Sequence, residues 1–170
     1  MKKNDQDKTI GEALTIVRIF DAPREELWKY WTDAERMMKW WGPETFTSPY
    51  SKIDARVGGR FLHCMRGAAG PDAQVRDYWN TGVYKELERP SKIVYTDSFS
   101  DEKGKVVPAT YYGMSADFPM EMLVTVTLED SMDGKTKMLL KHEGMLTSDI
   151  ESARMGWNGS FDKLAAALKE

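Results

Sequence analysis

The chain has one cysteine, Cys64, among its 170 residues. Cys64 has no partner for an internal disulfide. That excludes a disulfide-stapled scaffold and fits a reducing cytoplasm. No apolar run approaches the ~18 residues of a membrane span, so no membrane association is expected. The opening residues, Met1 to Lys8, carry basic side chains with no apolar stretch behind them. They do not read as a signal peptide, and residues 1–12 read as a disordered lead-in. Neither sign of charge dominates: 24 Lys and Arg oppose 27 Asp and Glu, for a net charge of −3. The basic residues are scattered, which excludes nucleic acid as a partner. Histidine is scarce as well, with only His63 and His142. They fall on different predicted strands, and with Cys64 they have no metal-ligand spacing. No metal or cofactor is expected.

What the chain has in quantity is tryptophan (6) and methionine (11). Large aromatic rings and pliable thioethers suit an irregular or adaptable interior, and a plain core uses them too. With 41% apolar and 30% charged residues, residues 13–170 read as a single domain. A chain this long buries about 68–70% of its unfolded surface.

The element that organises the rest is the stretch from Thr147 to Glu170. Ser148 and Glu151 have capping-box spacing. Ile150, Ala153, Trp157, Phe161, Leu164 and Leu168 then recur every three or four residues and share one helical face. Gly156 and Gly159 interrupt the run, although each costs about 1 kcal/mol against Ala in a helix interior. Either the helix approaches a sheet closely there, or the small residues leave room for a ligand.

Ahead of this helix the order is β-α-α-β-β-β-β-β-β. Leu14 to Phe20 is β-branched and apolar, a strand. Pro23, Glu25 and Glu26 suit a helix start, followed by Leu27, Trp28, Tyr30 and Trp31. Asp33 suits the cap of a second short helix carrying Met37, Met38, Trp40 and Trp41, which Gly42-Pro43 stops. From Phe46 the period changes to two, and strands are expected near 46–56, 59–66, 75–88, 92–100, 121–130 and 135–145. Turn signals at Val57-Gly58-Gly59, Gly67 to Asp72, Arg89-Pro90-Ser91, Gly104 and Asp133-Gly134 separate them. With no helices between these strands the sheet should be an antiparallel meander. The fold class is α+β, with the helices on one side. Met122, Val124, Val126 and Leu128 share one strand face, as do Met138, Leu140 and His142, and Phe61, His63 and Met65. These faces point at the long helix. A curved sheet wrapped around one helix need not close onto it, and the gap is the natural pocket.

Several motifs resemble the bacterial homologues of the heat-shock-protein-90 ATPase activator. They are Phe20-Asp21-Ala22-Pro23-Arg24-Glu25, Trp31-Thr32-Asp33, Trp40-Trp41-Gly42-Pro43, Gly58-Gly59-Arg60-Phe61, Gly82-Val83-Tyr84-Lys85-Glu86, Leu140-Lys141-His142-Glu143-Gly144 and Gly156-Trp157. They occur in the family's order from about Leu14 to Leu168. The resemblance implies the START-like (SRPBCC, birch-pollen-allergen-like) superfamily and its helix-grip fold. That fold is a curved antiparallel sheet of about six to seven strands, with two short helices after the first strand and a long C-terminal helix over a cavity. The superfamily includes lipid and hormone carriers, polyketide cyclases and co-chaperone domains. The separate N-terminal domain with which eukaryotic activators engage the chaperone is not expected here. The stretch from Ser100 to Met120 is longer than the compact family pattern.

Three functions are consistent with this. The first is binding of a small apolar or aromatic ligand, with no chemistry of its own. The second is a cyclase- or hydrolase-type enzyme that moves a proton with a cavity His or Tyr. The third is a co-chaperone-like module with a chaperone partner. No catalytic set stands out. The cavity candidates are Trp41, Phe61, His63, Tyr84, Tyr95, Met122, Val124, Met138, Leu140, His142, Trp157 and Phe161. His142, polar on an apolar strand face, can orient a ligand or serve as a histidine satisfied inside the core. Cys64 reads as a small buried apolar residue rather than a nucleophile, since no local motif supplies an activating base together with an anion-stabilising group. Arg60 and Arg66 read as solvated strand charges. Tyr111, Tyr112, Met114, Phe118 and Met120 read as a lid over the pocket or a homodimer contact, because such an aromatic loop should cover something. The chain is expected as a monomer or homodimer.

Overall fold

The computed structural model describes residues 8–69 and 72–170. Seven strands form one curled antiparallel sheet. They are β1 (Leu14–Phe20), β2 (Thr47–Ile53), β3 (Arg60–Ala68), β4 (Val75–Glu88), β5 (Lys92–Ser100), β6 (Met122–Asp130) and β7 (Thr136–Glu143). Their order is β1-β7-β6-β5-β4-β3-β2. Consecutive strands are neighbours from β2 to β7, as a meander requires, and β1 closes beside β7. Helices α1 (Arg24–Thr32) and α2 (Ala34–Met37) follow β1, and the long α3 (Ile150–Ala167) ends the chain. This is the expected helix-grip arrangement, and each strand starts and stops close to where the alternation places it.

The same alternation sets the core. Along β6, Met122, Val124, Val126 and Leu128 are buried, and along β7 so are Thr136, Met138, Leu140 and His142. The register places Val124 opposite His142, Val126 opposite Leu140 and Leu128 opposite Met138, so the apolar rows meet on one face. On β1, Leu14, Ile16 and Phe20 continue that face, while Val17 and Ile19 point outward. The Asp133-Gly134 turn has positive φ at both residues (59° and 73°), the backbone that a tight hairpin favours.

Helix α1 carries Trp28 and Trp31, and the turn after α2 carries Trp40 and Trp41; all four are buried. Asp33 caps α2 by accepting from the Arg36 N–H at 3.0 Å, as expected. Trp31 packs edge-on to Trp40 at 4.7 Å, and Phe161 of α3 stacks on Trp157 at 5.4 Å. The Tyr30 hydroxyl donates to the Ala167 carbonyl at 3.0 Å, which satisfies one of the free carbonyls at the end of α3.

The secondary structure differs from the sequence reading in four places. The second short helix ends at Met37, so Met38, Trp40 and Trp41, expected within it, follow it in a turn. The Ser148–Glu151 capping box does not form. Thr147–Asp149 is instead a turn of 3-10 helix, Asp149 precedes α3 without a side-chain cap, and Glu151 pairs with Arg154. Residues 8–12, the described part of the expected disordered lead-in, are tied down. Ile10 bridges to Leu146, and the Gly11 N–H donates to the Met145 carbonyl at 3.0 Å; residues 1–7 lie outside the described residues. Within the Gly67 to Asp72 turn, Gly67 and Ala68 still belong to β3, while Gly70 and Pro71 lie outside the described residues.

Candidate functional site

The sheet and α3 do not close on each other along their whole length. Towards the start of α3 they leave a cavity of about 810 Å³. Its sheet side is formed by Asn80 of β4, Asp97 and Phe99 of β5, Met122 of β6 and His142 of β7. Ala153, Gly156, Trp157 and Ser160 of α3 face them, and Trp41, Gly42, Pro43 and Met65 close one side. The rim is made by Met114, Ser115, Asp117 and Phe118 of the long β5–β6 connection, and by Leu146, Ser148, Asp149 and Ser152, with Lys8 beside Asp117.

The composition of α3 explains the gap. Along the helix, Ala153 and Gly156 flank the single large ring of Trp157 at the cavity, and Ser160 turns to the Gly42 carbonyl, whereas further along Phe161 and Leu164 are packed in the core. Its two glycines do different jobs. A Cβ on Gly159 would lie 2.7 Å from the Glu44 nitrogen, so this glycine allows the helix to touch the loop after α2. A Cβ on Gly156 would meet only Pro43, at 3.8 Å, so this glycine leaves space in the cavity. The loop from Trp41 to Phe46 is anchored by α3. Lys163 donates to the carbonyls of Pro43 at 2.9 Å and Phe46 at 2.8 Å, and Ser160 donates to that of Gly42 at 2.6 Å. Burial lowers the pKa of Lys163. These bonds fix Trp41 and Pro43 as a wall.

The polar groups of the cavity converge on its sheet side. His142 is 5% exposed. Its Nδ1 accepts from the Trp157 indole N–H at 3.1 Å. An indole nitrogen can only donate, so Nδ1 carries the lone pair and the proton of the neutral ring sits on Nε2. Nε2 is buried and has no hydrogen-bond partner, an exception that asks for an explanation in a native fold. Two strands over, across β6, and one row along, Asp97 is half-buried and accepts from the Asn80 amide at 2.9 Å. Burial raises the Asp97 pKa, while His142 and the Asn80 hydrogen bond oppose the rise. Burial lowers the His142 pKa, and Asp97 opposes that. The indole nitrogen of Trp41 is a further buried donor without a partner.

Of the sequence candidates, Trp41, Met122, His142 and Trp157 line the cavity, as do Met114 and Phe118 of the connection. Phe61, His63, Tyr84, Tyr95, Val124, Met138, Leu140 and Phe161 do not line it. They occupy the packed region, where the tryptophans fill the space. His63 is sandwiched between Phe61 at 4.6 Å and Trp41 at 4.9 Å, and its Nδ1 bonds to the Ser51 hydroxyl at 2.8 Å. Burial pushes its pKa down to about 3, so it is a neutral core residue. The Tyr95 hydroxyl is buried without a partner, and burial raises its pKa. In the connection, Tyr111 and Met120 are exposed. Tyr112 is a clamp: its hydroxyl accepts from the Trp79 N–H at 3.0 Å and donates to the Ser100 carbonyl at 2.5 Å. Asn80 and Asp97 are cavity residues that the sequence reading passed over. Asp97 shares its parity with Tyr95 and Phe99, and a charge on an inward parity was the signal available.

Cys64 is fully buried, and burial pushes its pKa up to about 11, which leaves it an unreactive thiol at neutral pH. Arg66 pairs with Asp77 through two bonds at 2.6 and 2.9 Å on the exposed side of the sheet. Among the described residues no group of three or more His, Cys, Asp or Glu side chains is placed to hold a metal ion, and no helix is long and apolar enough to cross a membrane.

The family described as activator of Hsp90 ATPase homolog 1-like protein matches residues 21–169. Among solved structures, the chain is similar to protein CV1439 from Chromobacterium violaceum. The identity is 26% and the TM-score 0.73, over 94% of this chain and 98% of that one. It is similar to the AHSA1 protein from Silicibacter pomeroyi at 25% identity and TM-score 0.66, over 92% and 97%. A protein from Staphylococcus epidermidis shares the fold at 21% identity and TM-score 0.71, over 95% and 93%. No curated protein matches this chain.

Proposed function

This chain belongs to the activator of Hsp90 ATPase homolog 1-like family, and from that premise we propose that it binds a small, largely apolar ligand between its sheet and its long helix. The observation that carries the reading is the buried, unpartnered Nε2–H of His142 at the wall of a cavity of about 810 Å³. That volume lies in the range of ligand sites, about 300–1,000 Å³. The small side chains of α3 that keep the cavity open support the same reading. A donor buried without a partner is costly, by about 1–3 kcal/mol, and a ligand acceptor would remove the cost.

Converging polar groups also raise the enzyme reading, and the tautomer of His142 weighs against it. Its one lone pair is engaged by Trp157, so it has none to take a proton from a substrate. It can donate a hydrogen bond, which is a binding role. Asp97 is the remaining candidate base, and it is tied to Asn80. A chaperone partner rests on the family alone. A cytoplasmic location is part of the same proposal, supported by the single cysteine, which has no partner for an internal disulfide.

Native mass spectrometry of the gently purified protein tests the proposal. The expected result is a population heavier than the bare chain by one small molecule, lost on denaturation. A bare mass, together with no thermal shift from a panel of apolar aromatic compounds, would overturn it.

A further inference from the structure

The cavity wall holds a donor and an acceptor with opposite needs, and these narrow the ligand's chemistry. His142 offers Nε2–H and no lone pair, because the Trp157 indole occupies Nδ1. Asp97, on the same inward face of the sheet, offers carboxylate oxygens. Of the described charged residues around the cavity, Asp97, Asp117 and Asp149 are acidic, and the one cation among them, Lys8, is paired with Asp117 at 3.3 Å.

We infer that the ligand carries, on its apolar body, one uncharged group that both accepts and donates a hydrogen bond, such as a carboxamide, a lactam or a hydroxyl. It accepts from His142 and donates to Asp97. A carboxylate ligand would satisfy His142 but would set its charge against Asp97 in a half-buried, low-dielectric wall that has no unpaired cation among its described residues. A protonated amine would satisfy Asp97 but has no acceptor for the His142 proton, and would leave that buried donor unpartnered. The uncharged group serves both. This inference rests on the cavity-binding proposal and adds the polarity of the ligand to it.

A set of probes with one body separates the possibilities: naphthalene, naphthalene carboxamide, naphthalene carboxylate and naphthylmethylammonium. Two-dimensional NMR of the full chain at neutral pH follows the indole N–H resonances of Trp41 and Trp157, both at the cavity wall. The carboxamide should bind about tenfold more tightly than naphthalene, as expected for satisfying a buried donor. It should also bind at least about tenfold more tightly than either charged probe. In His142→Phe the carboxamide-to-naphthalene ratio should fall to about one. In Asp97→Asn, a nearly isosteric change, the penalty on the carboxylate should shrink. That second variant decides the matter if His142→Phe fails to fold. Equal binding of naphthalene and carboxamide, or a carboxylate that binds as tightly as the carboxamide, overturns the inference and leaves the cavity proposal standing. Failure of every probe to move either indole resonance overturns the inference and the cavity proposal together.

Discussion

The two ends of the interface between sheet and α3 are built by one sequence pattern and come out differently. At one end Phe161 and Leu164 press on Val126, Leu128, Met138 and Leu140 with Trp31 and Trp40 beside them, and all are buried. At the other end Trp157 reaches His142, and around it the small Ala153, Gly156 and Ser160 face Asn80, Asp97 and Met122 across open space. The strand alternation continues through both. What changes is the size of the side chains on the helix. Periodicity decides which way a residue faces, and volume decides whether that face is filled.

The packed end should therefore respond strongly to truncation. Phe161 is fully buried, between Trp157, Trp31 and Phe20. Phe161→Ala should cost about 3–5 kcal/mol, as aromatic core truncations do, measured by urea unfolding. Ala153→Ser, at the open end, should cost well under about 1 kcal/mol in the same assay. Similar losses at both sites would erase the distinction.

The second expected effect concerns pH and also belongs to the packed end. The folded pKa of His63 is about 3, against about 6.5 in an unfolded chain. Below pH 6.5 the unfolded state takes up a proton that the folded state refuses. The stabilising contribution is complete above pH 6.5 and is lost as pH falls towards 3, by about 1.4 kcal/mol per unit. Between pH 6.5 and 5 this amounts to about 2 kcal/mol. His63→Phe should remove that part of the pH dependence, and the gap between the two stability curves reads it directly. Parallel curves would mean that His63 is protonated in the fold.

How much of this was legible follows from the same division. The period-two runs located β2 to β7 and the β-branched run Leu14–Phe20 located β1, and Trp157 was placed on the buried face of α3, where it is 9% exposed. The hollow was legible only in outline: a gap between sheet and helix was expected and Gly156 borders it, but alternation carries no information about depth, so most of its wall was not placed. Tyr84, Tyr95 and Leu140 face inward as read, yet they lie under other side chains and not at a cavity wall. Asp97 was legible in principle, since it shares the parity of Tyr95 and Phe99, but an acidic residue on a strand reads first as a solvated charge. The capping box failed for a related reason: the spacing of Ser148 and Glu151 is necessary for it, but an intervening 3-10 turn places Ser148 at the cavity rim instead.

The two glycines of α3 sharpen the comparison at about 1 kcal/mol. Gly156→Ala meets only Pro43 at 3.8 Å. It should stabilise by about 1 kcal/mol through helix propensity, while weakening the binding of any cavity probe. Gly159→Ala drives a methyl group against the Glu44 backbone. Overpacking of about 1–3 kcal/mol should outweigh the propensity gain. Opposite signs in thermal melts are expected. Equal signs would mean that the loop after α2 yields freely, and that the Lys163 and Ser160 bonds do not hold it.

The smallest free energies belong to the cover of the open end. The connection between β5 and β6 is pinned at Tyr112, whose hydroxyl bridges β4 and β5 and whose ring lies 5.2 Å from Tyr78 and 5.6 Å from Phe99. Beyond Gly113 the chain has fewer holds. Phe118 touches Phe99 at 5.4 Å, and Asp117 pairs with Lys8 while both remain largely exposed, a pairing worth little. A cover that admits a ligand must come from the least stable part of a fold. Amide exchange should therefore be slow at Trp79, whose N–H the Tyr112 hydroxyl holds, and fast from Met114 to Phe118. The fast group should slow when a cavity probe is added. A homodimer contact would instead slow it with protein concentration. Fast exchange that responds to neither would show that the segment covers nothing, and that the cavity has no gate.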